Sequence, residues 1–583
     1  MSEKLPQATL DEIRHSLAHL LAAAVLKKYP DTKLGIGPVI DNGFYYDFLF
    51  SQPVTDADLK DLQKEMRKLA HRHLDFTGEK LTADSAKKMF KDQPFKVELI
   101  EEFSQDGKEL TAYHTGDVFT DLCRGGHVAN TEQIDPDGFK LSRLAGAYWR
   151  GSEKNPMLTR IYGLAFGSKE ELVAYEKMME EAKKRDHRKL GKELGLFAII
   201  DEIGPGLPLF YPKGTILRRT VENYITDLQE KRGYVPIWIP HITKGKLYEI
   251  SGHLQKYDAM YPPMQLPDED AYYLKPMNCP HFMMLYNTLP HSYRELPVRY
   301  TSTTTNYRYE KSGELTGLTR VRALTQDDCH VFTRPDQIEA EINLMLDMIS
   351  EAYATFGFTD FWVRISTHDP ANTEKYIGDK KIWAESEAAL EKLIKARGWK
   401  HEIGVGEAAF YGPKLDFILK DVLGREWQLS TIQLDMNLPK RFNLEYTDAD
   451  GTKKQPVVIH RAILGSTERF LAILIEHFGG AFPLWLSPVQ VTIVPVSEKH
   501  VDHARSLAQK LSAFRVQVAE ENETLGKKIR GAELQKIPYV LVVGDKEIEQ
   551  NAVNVRHYKE GVLGTMSLDQ LTAKLAKEIE EKK

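Results

Sequence analysis

Only three cysteines occur in 583 residues, Cys123, Cys279 and Cys329. That is too few for a disulfide scaffold and fits a reducing compartment such as the cytoplasm. Long hydrophobic runs are missing too: the apolar stretch Leu20 to Leu26 falls far short of the ~20 residues that a membrane span requires. The start, MSEKLPQ, carries no apolar signal core. There is no low-complexity segment and no internal repeat. The formal net charge is -6, so contact with nucleic acid has to rest on local basic patches. The remainder is ordinary globular material, 42% hydrophobic, long enough for about three to four domains of typical size.

What is there is concentrated in a few strings. RYTSTTTNYRYEKSGELTGLTRVRALTQDDCH, from Arg299 to His330, reads as strand, Gly-containing loop (Gly313, Gly317) and strand. Arg308 and Glu310 stand two apart, as do Gln326, Asp328 and His330, so on strands each set shares a face. A face holding arginines and carboxylates is not a core; it suits a charged, polar ligand such as a nucleotide with an amino acid. IHRAILGSTERF, from Ile459 to Phe470, leads from His460 through Gly465-Ser466-Thr467-Glu468-Arg469 into a helix with apolar Phe470, Leu471, Ile473 and Leu474.

Thr9-Leu10-Asp11-Glu12 is a capping box and predicts a helix start. Ile13, Leu17, Leu20, Leu21 and Ala24 form its apolar stripe, and His15 and His19, four apart, share a face. With strands at Gly43–Phe48 and Leu158–Ala165, residues 5–166 read as one α+β region. Ser168-Lys169-Glu170-Glu171 predicts one long linker helix through 167–196. Its basic run from Lys183 to Lys192 is either a solvated face or an RNA contact. Pro-rich boundaries near 205–208 and 483–488 bracket the central region, 197–485. Beyond it, VQVTIVPV, VQVA, YVLVVG and NVRHY alternate with helical segments, and Ser567-Leu568-Asp569-Gln570 caps the last. This predicts an α/β layer over 486–583, with YVLVVG as a buried parallel strand.

Arg308-Tyr309-Glu310 and Gly465-Ser466-Thr467-Glu468-Arg469 resemble motifs 2 and 3 of class II aminoacyl-tRNA synthetases. KPMNCP, TQDDCH, FYGPK, IQLD and HRAILGS are similar to strings of the threonyl-tRNA synthetase family in that class. The resemblance runs from about Leu10 to the C-terminus. It implies a multidomain α+β and α/β fold: an editing domain over 5–166, a class II antiparallel-sheet catalytic core over 197–485, and an anticodon-binding domain over 486–583. GYVPIWIP, ending at Pro240, resembles motif 1 and implies a homodimer. Most bacterial members also carry a small ubiquitin-like domain ahead of the editing domain, which here starts almost at Met1.

The implied reaction joins threonine to ATP as an adenylate and then transfers it to tRNA(Thr). Two anions must meet, so cationic clamps are required, and positioning does most of the work. The resemblance assigns Arg308 to the α-phosphate, Glu310 to the adenine amino group, and Arg320 and Arg469 to the outer phosphates with Mg²⁺. Gln433 and Ser466 belong to the same ATP site. Two departures stand out: Leu324 occupies a position usually aromatic and stacked on adenine, and Arg-Tyr-Glu replaces the usual Arg-Asn-Glu.

Cys279, His330 and His460 lie far apart in sequence, and by themselves read as a buried cysteine and two core histidines. Their strings match the family's zinc ligands, which implies one Zn²⁺ per chain with a position open to threonine. Asp328 would take the hydroxyl proton, and Gln326, Tyr411, Lys414 and Gln428 complete the pocket. A site that demands a hydroxyl rejects valine, whereas an apolar pocket could not. Cys329 and His281 are competing ligands, although Cys329, as a strand neighbour of His330, should point away. Serine still fits, because one missing methyl is worth only about 1–3 kcal/mol, so a second, hydrolytic site is expected. His15, His19, Cys123 and His127, the last two in DLCRGGH, read by spacing as a zinc tetrad. The resemblance implies instead metal-free hydrolysis of seryl-tRNA, with Lys96 of PFKVE and Asp121 as further members. Asn522, Glu547 and Arg556 match positions that read anticodon bases.

Overall fold

In the computed structural model residues 8–583 are described. MSEKLPQ, and with it the first residues of the region expected at 5–166, lies outside them. The chain divides into two units, residues 1–180 and 181–583.

The first unit is organised around the helix Leu10–Lys28. Thr9 and Glu12 form the expected capping box: the Thr9 hydroxyl accepts the Glu12 N–H, and the Glu12 carboxylate accepts the Thr9 N–H at 2.7 Å. Burial does not follow a stripe. Every residue from Ser16 to Val25 is buried, alanines included, the pattern of a helix enclosed on all sides. It packs on a sheet whose main strands are Gly43–Leu49, Met157–Ala165 and Phe139–Tyr148, and against the helix Asp56–Ala70. A separate three-stranded sheet, Phe76–Leu81, Leu110–Thr115 and Phe119–Leu122, ends just before Cys123.

The single helix expected through 167–196 is two helices, Lys169–Arg185 and His187–Glu193. Asp186 separates them, with φ -48° and ψ 120°. Its carboxylate accepts the Arg188 N–H at 2.8 Å, so the chain exchanges helix continuity for an N-cap.

The second unit contains an eight-stranded sheet. Its order is Val235–Pro236, Val298–Tyr307, Ala323–Thr333, Val457–Ala462, Glu426–Asp435, Lys414–Lys420, Phe361–Thr367 and His401–Val405. The five inner pairings are antiparallel and the two edge pairings parallel. Arg308 and Glu310 were expected on a strand but lie just past the end of one. Arg308 N–H still bonds Arg322 O, whereas Tyr309 N–H turns away to Ala259 O. Ser466 caps the helix Thr467–Phe478, which buries Phe470, Leu471, Ile473 and Leu474 against the sheet.

The last layer is the five-stranded sheet Val516–Val518, Val491–Pro495, Tyr539–Val543, Ala552–His557 and Gly561–Ser567. Its first three strands are parallel and the rest antiparallel. As expected, the YVLVVG strand is buried and Ser567 caps the final helix. Among the described residues no helix is long and apolar enough to cross a membrane.

Candidate functional site

Strand register brings the scattered strings together. Lys414, Gln433, His460, His330 and Tyr300 are successive partners on five neighbouring strands, so their side chains form one row on one face. Gln428 and Thr431 are three apart and would face opposite ways on a regular strand. A register slip opposite Asp416/Ile418 turns both to the same face. Gln428 Nε2 and Thr431 Oγ1 then both donate to Asp416, at 2.8 and 3.1 Å.

Beside this row lies a cavity of about 380 Å³, lined by Arg308, Glu310, Arg320, Leu324, Gln326, Gln428, Gln433, Ser466 and Arg469 among others. Each arginine is tethered. Arg308 Nε donates to Pro276 O at 3.2 Å, Arg320 is paired with Glu310 at 2.8 Å, and Arg469 donates to Thr319 O at 3.0 Å and Gln428 O at 3.1 Å. Burial, and then the charges of Arg308 and Arg320, lower the pKa of Arg469. Three guanidinium groups around one small space make a strong anion site. Tyr309, the departure from Arg-Asn-Glu, is half exposed and packs on Tyr261 rather than lining the cavity.

Asp416, fully buried, is the centre of this face. It accepts hydrogen bonds from Lys414 Nζ, Ser366 Oγ (2.8 Å), Arg364 Nη2 (3.2 Å), Gln428 and Thr431. The sequence singles out Lys414 and Gln428 but not the carboxylate that orients both. It likewise missed Glu468, whose buried carboxylate accepts Thr325 N–H at 2.8 Å and Arg218 Nη1 at 3.0 Å. Asp327 escaped it as well: this carboxylate holds the Ile463 and Leu464 N–H groups ahead of Gly465, and burial raises it to about 6.

At the other end of the row, Cys279, His330 and His460 are all buried, and one ligand atom from each lies within 4.8 Å of the others. Both ring nitrogens of His330 and Nδ1 of His460 are buried without a hydrogen-bond partner. Buried polar atoms are seldom left so, and a thiol with two imidazoles is a donor set suited to zinc. His460 Nε2 is held by Asp435 Oδ2 at 2.9 Å, and Asp435 is anchored in turn by the Asn437 and Leu438 N–H groups. Burial opposes charge on His460, but Cys279 and Asp435 raise it to about 10. Asp328 accepts Asn278 Nδ2 at 2.8 Å, with Lys275 Nζ behind on Asn278 Oδ1. Tyr411 donates to Gln433 and its ring lies 5.3 Å from that of His460. Of the two competing ligands, Cys329 lies on the opposite face, in the helix-packed core beside Arg461. His281 is outside the group although its ring nitrogens are also unpartnered.

In the first unit, His15, His19, Cys123 and His127 form a second such group. Cys123 Sγ lies 3.2 Å from His127 Nε2 and 3.4 Å from His15 Nε2, and accepts the Gly125 N–H at 3.3 Å. Ser16 Oγ donates to Glu12 O and accepts the Val128 N–H, so its 3.3 Å contact with His127 Nδ1 needs the proton on that nitrogen. His127 Nε2 is then the acceptor facing the thiol. Burial pushes Cys123 up to about 11 and all three histidines down. The cluster is therefore a neutral thiol among neutral imidazoles. Beside it Lys96, 2% exposed, pairs with Asp121 at 2.5 Å, and Tyr46 donates to the same carboxylate. His15, His19, Cys123, Lys96 and Asp121 line a cavity of about 510 Å³ together with Ile36, Leu99, Phe103 and Arg124 among others.

The three positions in the last layer sit on separate elements. Asn522 follows the strand Val516–Val518, and Arg556 lies on Ala552–His557, 3.6 Å from Glu533. The Glu547 carboxylate accepts the Gly544 N–H at the start of its own short helix.

Comparison with known proteins accounts for all three regions. Residues 264–478 match the tRNA synthetase class II core domain (G, H, P, S and T) and residues 490–578 the anticodon binding domain. Residues 110–162 match the threonyl and alanyl tRNA synthetase second additional domain. A threonine–tRNA ligase of Rubrobacter xylanophilus is 50% identical over 553 residues, 94% of this chain and 85% of the relative. One from Anoxybacillus flavithermus is 47% identical over 99% of this chain and 90% of its own. The crystal structure of the RNA binding domain of threonyl-tRNA synthetase from Cryptosporidium parvum Iowa II superposes with a TM-score of 0.64 at 37% identity, covering 67% of this chain and 98% of that one. Anion cavity, Cys/His row and N-terminal His/Cys cluster thus occur together in a chain that belongs to the threonine–tRNA ligase family.

Proposed function

We propose that the chain activates threonine with ATP, transfers it to tRNA(Thr), and hydrolyses seryl-tRNA(Thr) in its N-terminal unit. The observation that carries this is the adjacency of the three-arginine cavity to the Cys279/His330/His460 row. ATP with Mg²⁺ occupies the cavity, with Arg308 on the α-phosphate and Arg320 and Arg469 on the outer phosphates. Glu310 and Gln433 take the adenosine, and Ser466 shapes the helix N-terminus beneath it. The threonine carboxylate attacks the α-phosphorus, an oxygen–phosphorus bond forms, and pyrophosphate leaves. The arginines stabilise the charge that gathers there, Arg308 and Arg469 preorganised by the carbonyls they already bond and Arg320 by Glu310. A hydroxyl of the terminal ribose of tRNA then takes the acyl group, and AMP leaves.

Cys279, His330 and His460 would hold a zinc ion, which supplies a Lewis-acid position for the amino and hydroxyl groups of threonine. Asp328 lies beside it, fixed by Asn278, to accept the hydroxyl proton. Gln326, Tyr411, Lys414 and Gln428 line the remaining walls, the last two oriented by Asp416. Valine lacks the hydroxyl and fails; serine has it and passes.

Seryl ester is cleared by the cavity beside His15, His19, Cys123 and His127. Neutral imidazoles offer lone pairs to an attacking water, and Lys96, held by Asp121, contributes the adjacent cation. Asn522, Glu547 and Arg556 read the anticodon. The active form is a cytoplasmic homodimer. Supporting this, the GYVPIWIP segment exposes Trp238 at 79% and Val235 at 54%, apolar surface that a partner would cover.

The test is ATP–pyrophosphate exchange with threonine, serine and valine. Threonine should support it strongly, serine weakly and valine hardly at all. Strongest exchange with any other amino acid would overturn the assignment.

A further inference from the structure

The wall of the ATP cavity is also held from a helix to which the sequence assigns no part in that site. His187 opens the helix His187–Glu193 and is 3% exposed. Its Nδ1 lies 2.6 Å from Glu476 Oε1, which also accepts the His187 backbone N–H at 3.0 Å. Its Nε2 accepts the Leu318 N–H at 3.1 Å. The carboxylate requires a proton on Nδ1, and the Leu318 N–H requires a lone pair on Nε2. The two contacts together select one neutral tautomer. Both ring nitrogens are thereby used, and Asp186 is occupied by Arg188, so Asp186, His187 and Glu476 do not form a metal site although their ligand atoms lie close.

The loop that His187 touches is the one that carries the phosphate-facing groups. Gly317 has φ +48°, and a Cβ there would come within 2.1 Å of His187 Nε2, so glycine lets the backbone close onto the imidazole. Leu318 is fully buried. The next residue, Thr319, gives its carbonyl to Arg469 Nε at 3.0 Å, and Arg320 follows into the cavity. The imidazole thus stands behind a backbone that orients Arg469 and carries Arg320.

We propose that His187 is a positioning residue for the ATP site. Through the Leu318 N–H it fixes the loop Thr316–Arg320, and so the Thr319 carbonyl that aims Arg469 and the backbone that carries Arg320. It touches neither ATP nor threonine. The proposal rests on the cavity being the ATP site. A buried histidine with a merely structural role would lower stability without discriminating between substrates. A loop-positioning one acts on ATP selectively.

The experiment is pyrophosphate exchange by the full chain, with KM for ATP and for threonine measured separately, alongside thermal melting. His187→Leu strands a buried N–H and should raise KM for ATP about tenfold, with KM for threonine nearly unchanged. His187→Gln, whose amide oxygen can take the Leu318 N–H, should recover most of the loss. Gly317→Ala, which pushes the loop off the imidazole while leaving it in place, should also raise KM for ATP, and less so in a His187→Ala background. Equal rises for both substrates, or a lower melting temperature with KM for ATP unchanged, would refute the role. Arg308→Ala separates the two readings. If it exchanges normally, the cavity assignment falls and His187 with it. If it is inactive while His187→Leu keeps the wild-type KM for ATP, only the His187 assignment falls.

Discussion

A strong chelator should destabilise the protein by an amount that the unpaired atoms of the Cys279, His330 and His460 site define. Both ring nitrogens of His330 and Nδ1 of His460 are buried without partners. Each such atom costs about 1–3 kcal/mol. One ion takes one nitrogen from each imidazole, so its removal exposes the chain to about 2–6 kcal/mol, the cost of two such atoms. Linkage gives a similar size: a ligand present at a thousand times its Kd stabilises by about 4 kcal/mol. In domains of 150–250 residues each kcal/mol shifts Tm by about 2–4 °C, and the larger unit 181–583 lies at the low end or below, so chelation should lower its melting temperature by at most roughly 4–12 °C. The assay is differential scanning calorimetry with and without a strong chelator, with elemental analysis of the same samples. Cys279→Ala should lose the ion and the chelator-dependent shift together. Cys329→Ala should keep both, because Cys329 lies on the opposite face beside Arg461. Wild type without an ion and without a shift, or loss of the ion in Cys329→Ala alone, would refute the reasoning.

Arg308→Ala and Arg469→Ala should each lower exchange by at least about a hundredfold, since each removes a preorganised cation from the cavity. His15→Ala with His19→Ala should charge threonine normally, accumulate seryl-tRNA, and deacylate seryl-tRNA about 10²–10⁴-fold more slowly. Equal deacylation by wild type and variant would move editing elsewhere. Trp238→Glu should shift sedimentation from dimer toward monomer at micromolar concentration, and an unchanged dimer would exclude the GYVPIWIP face. Arg556→Ala should raise KM for tRNA and leave adenylate formation intact; unchanged tRNA kinetics would remove Arg556 from anticodon reading.

Much of the fold was legible because local chemistry and global structure agree. Thr9 and Ser567 cap helices where the sequence places caps, and YVLVVG is buried as its unbroken apolar run requires. The failures have identifiable causes. Asp186 looks unexceptional in a basic helical stretch, yet its carboxylate is a better N-cap than a helix interior residue. Arg308 and Glu310 keep a strand-like spacing outside any strand, since Tyr309 N–H finds Ala259 O instead of the ladder. Gln428 and Thr431 share a face only because of a bulge, which side-chain alternation cannot reveal. Asp416, Asp435 and Ser16 are ordinary polar residues in sequence. Their roles come from what stands opposite them after folding, and only the register supplies that.

The two His/Cys clusters show why ligand-type residues at close range are not enough to infer a metal. In the catalytic unit three ring nitrogens are buried and unpaired, and Asp435 holds the one ring nitrogen of His460 that has a partner. Such a site is unsatisfied in its own structure, and an ion would relieve it. In the N-terminal unit His15, Cys123 and His127 are already joined by hydrogen bonds. The Cys123 thiol faces two imidazoles and a backbone N–H, and Ser16 takes His127 Nδ1. Only Nδ1 of His19 is buried and unpartnered in that cluster. Loading a divalent ion there would first require breaking these contacts. The unpaired ring nitrogens of His330 and His460 therefore favour that site over the N-terminal cluster for a metal, even though ligand count alone would rank the four-residue cluster above the three-residue one.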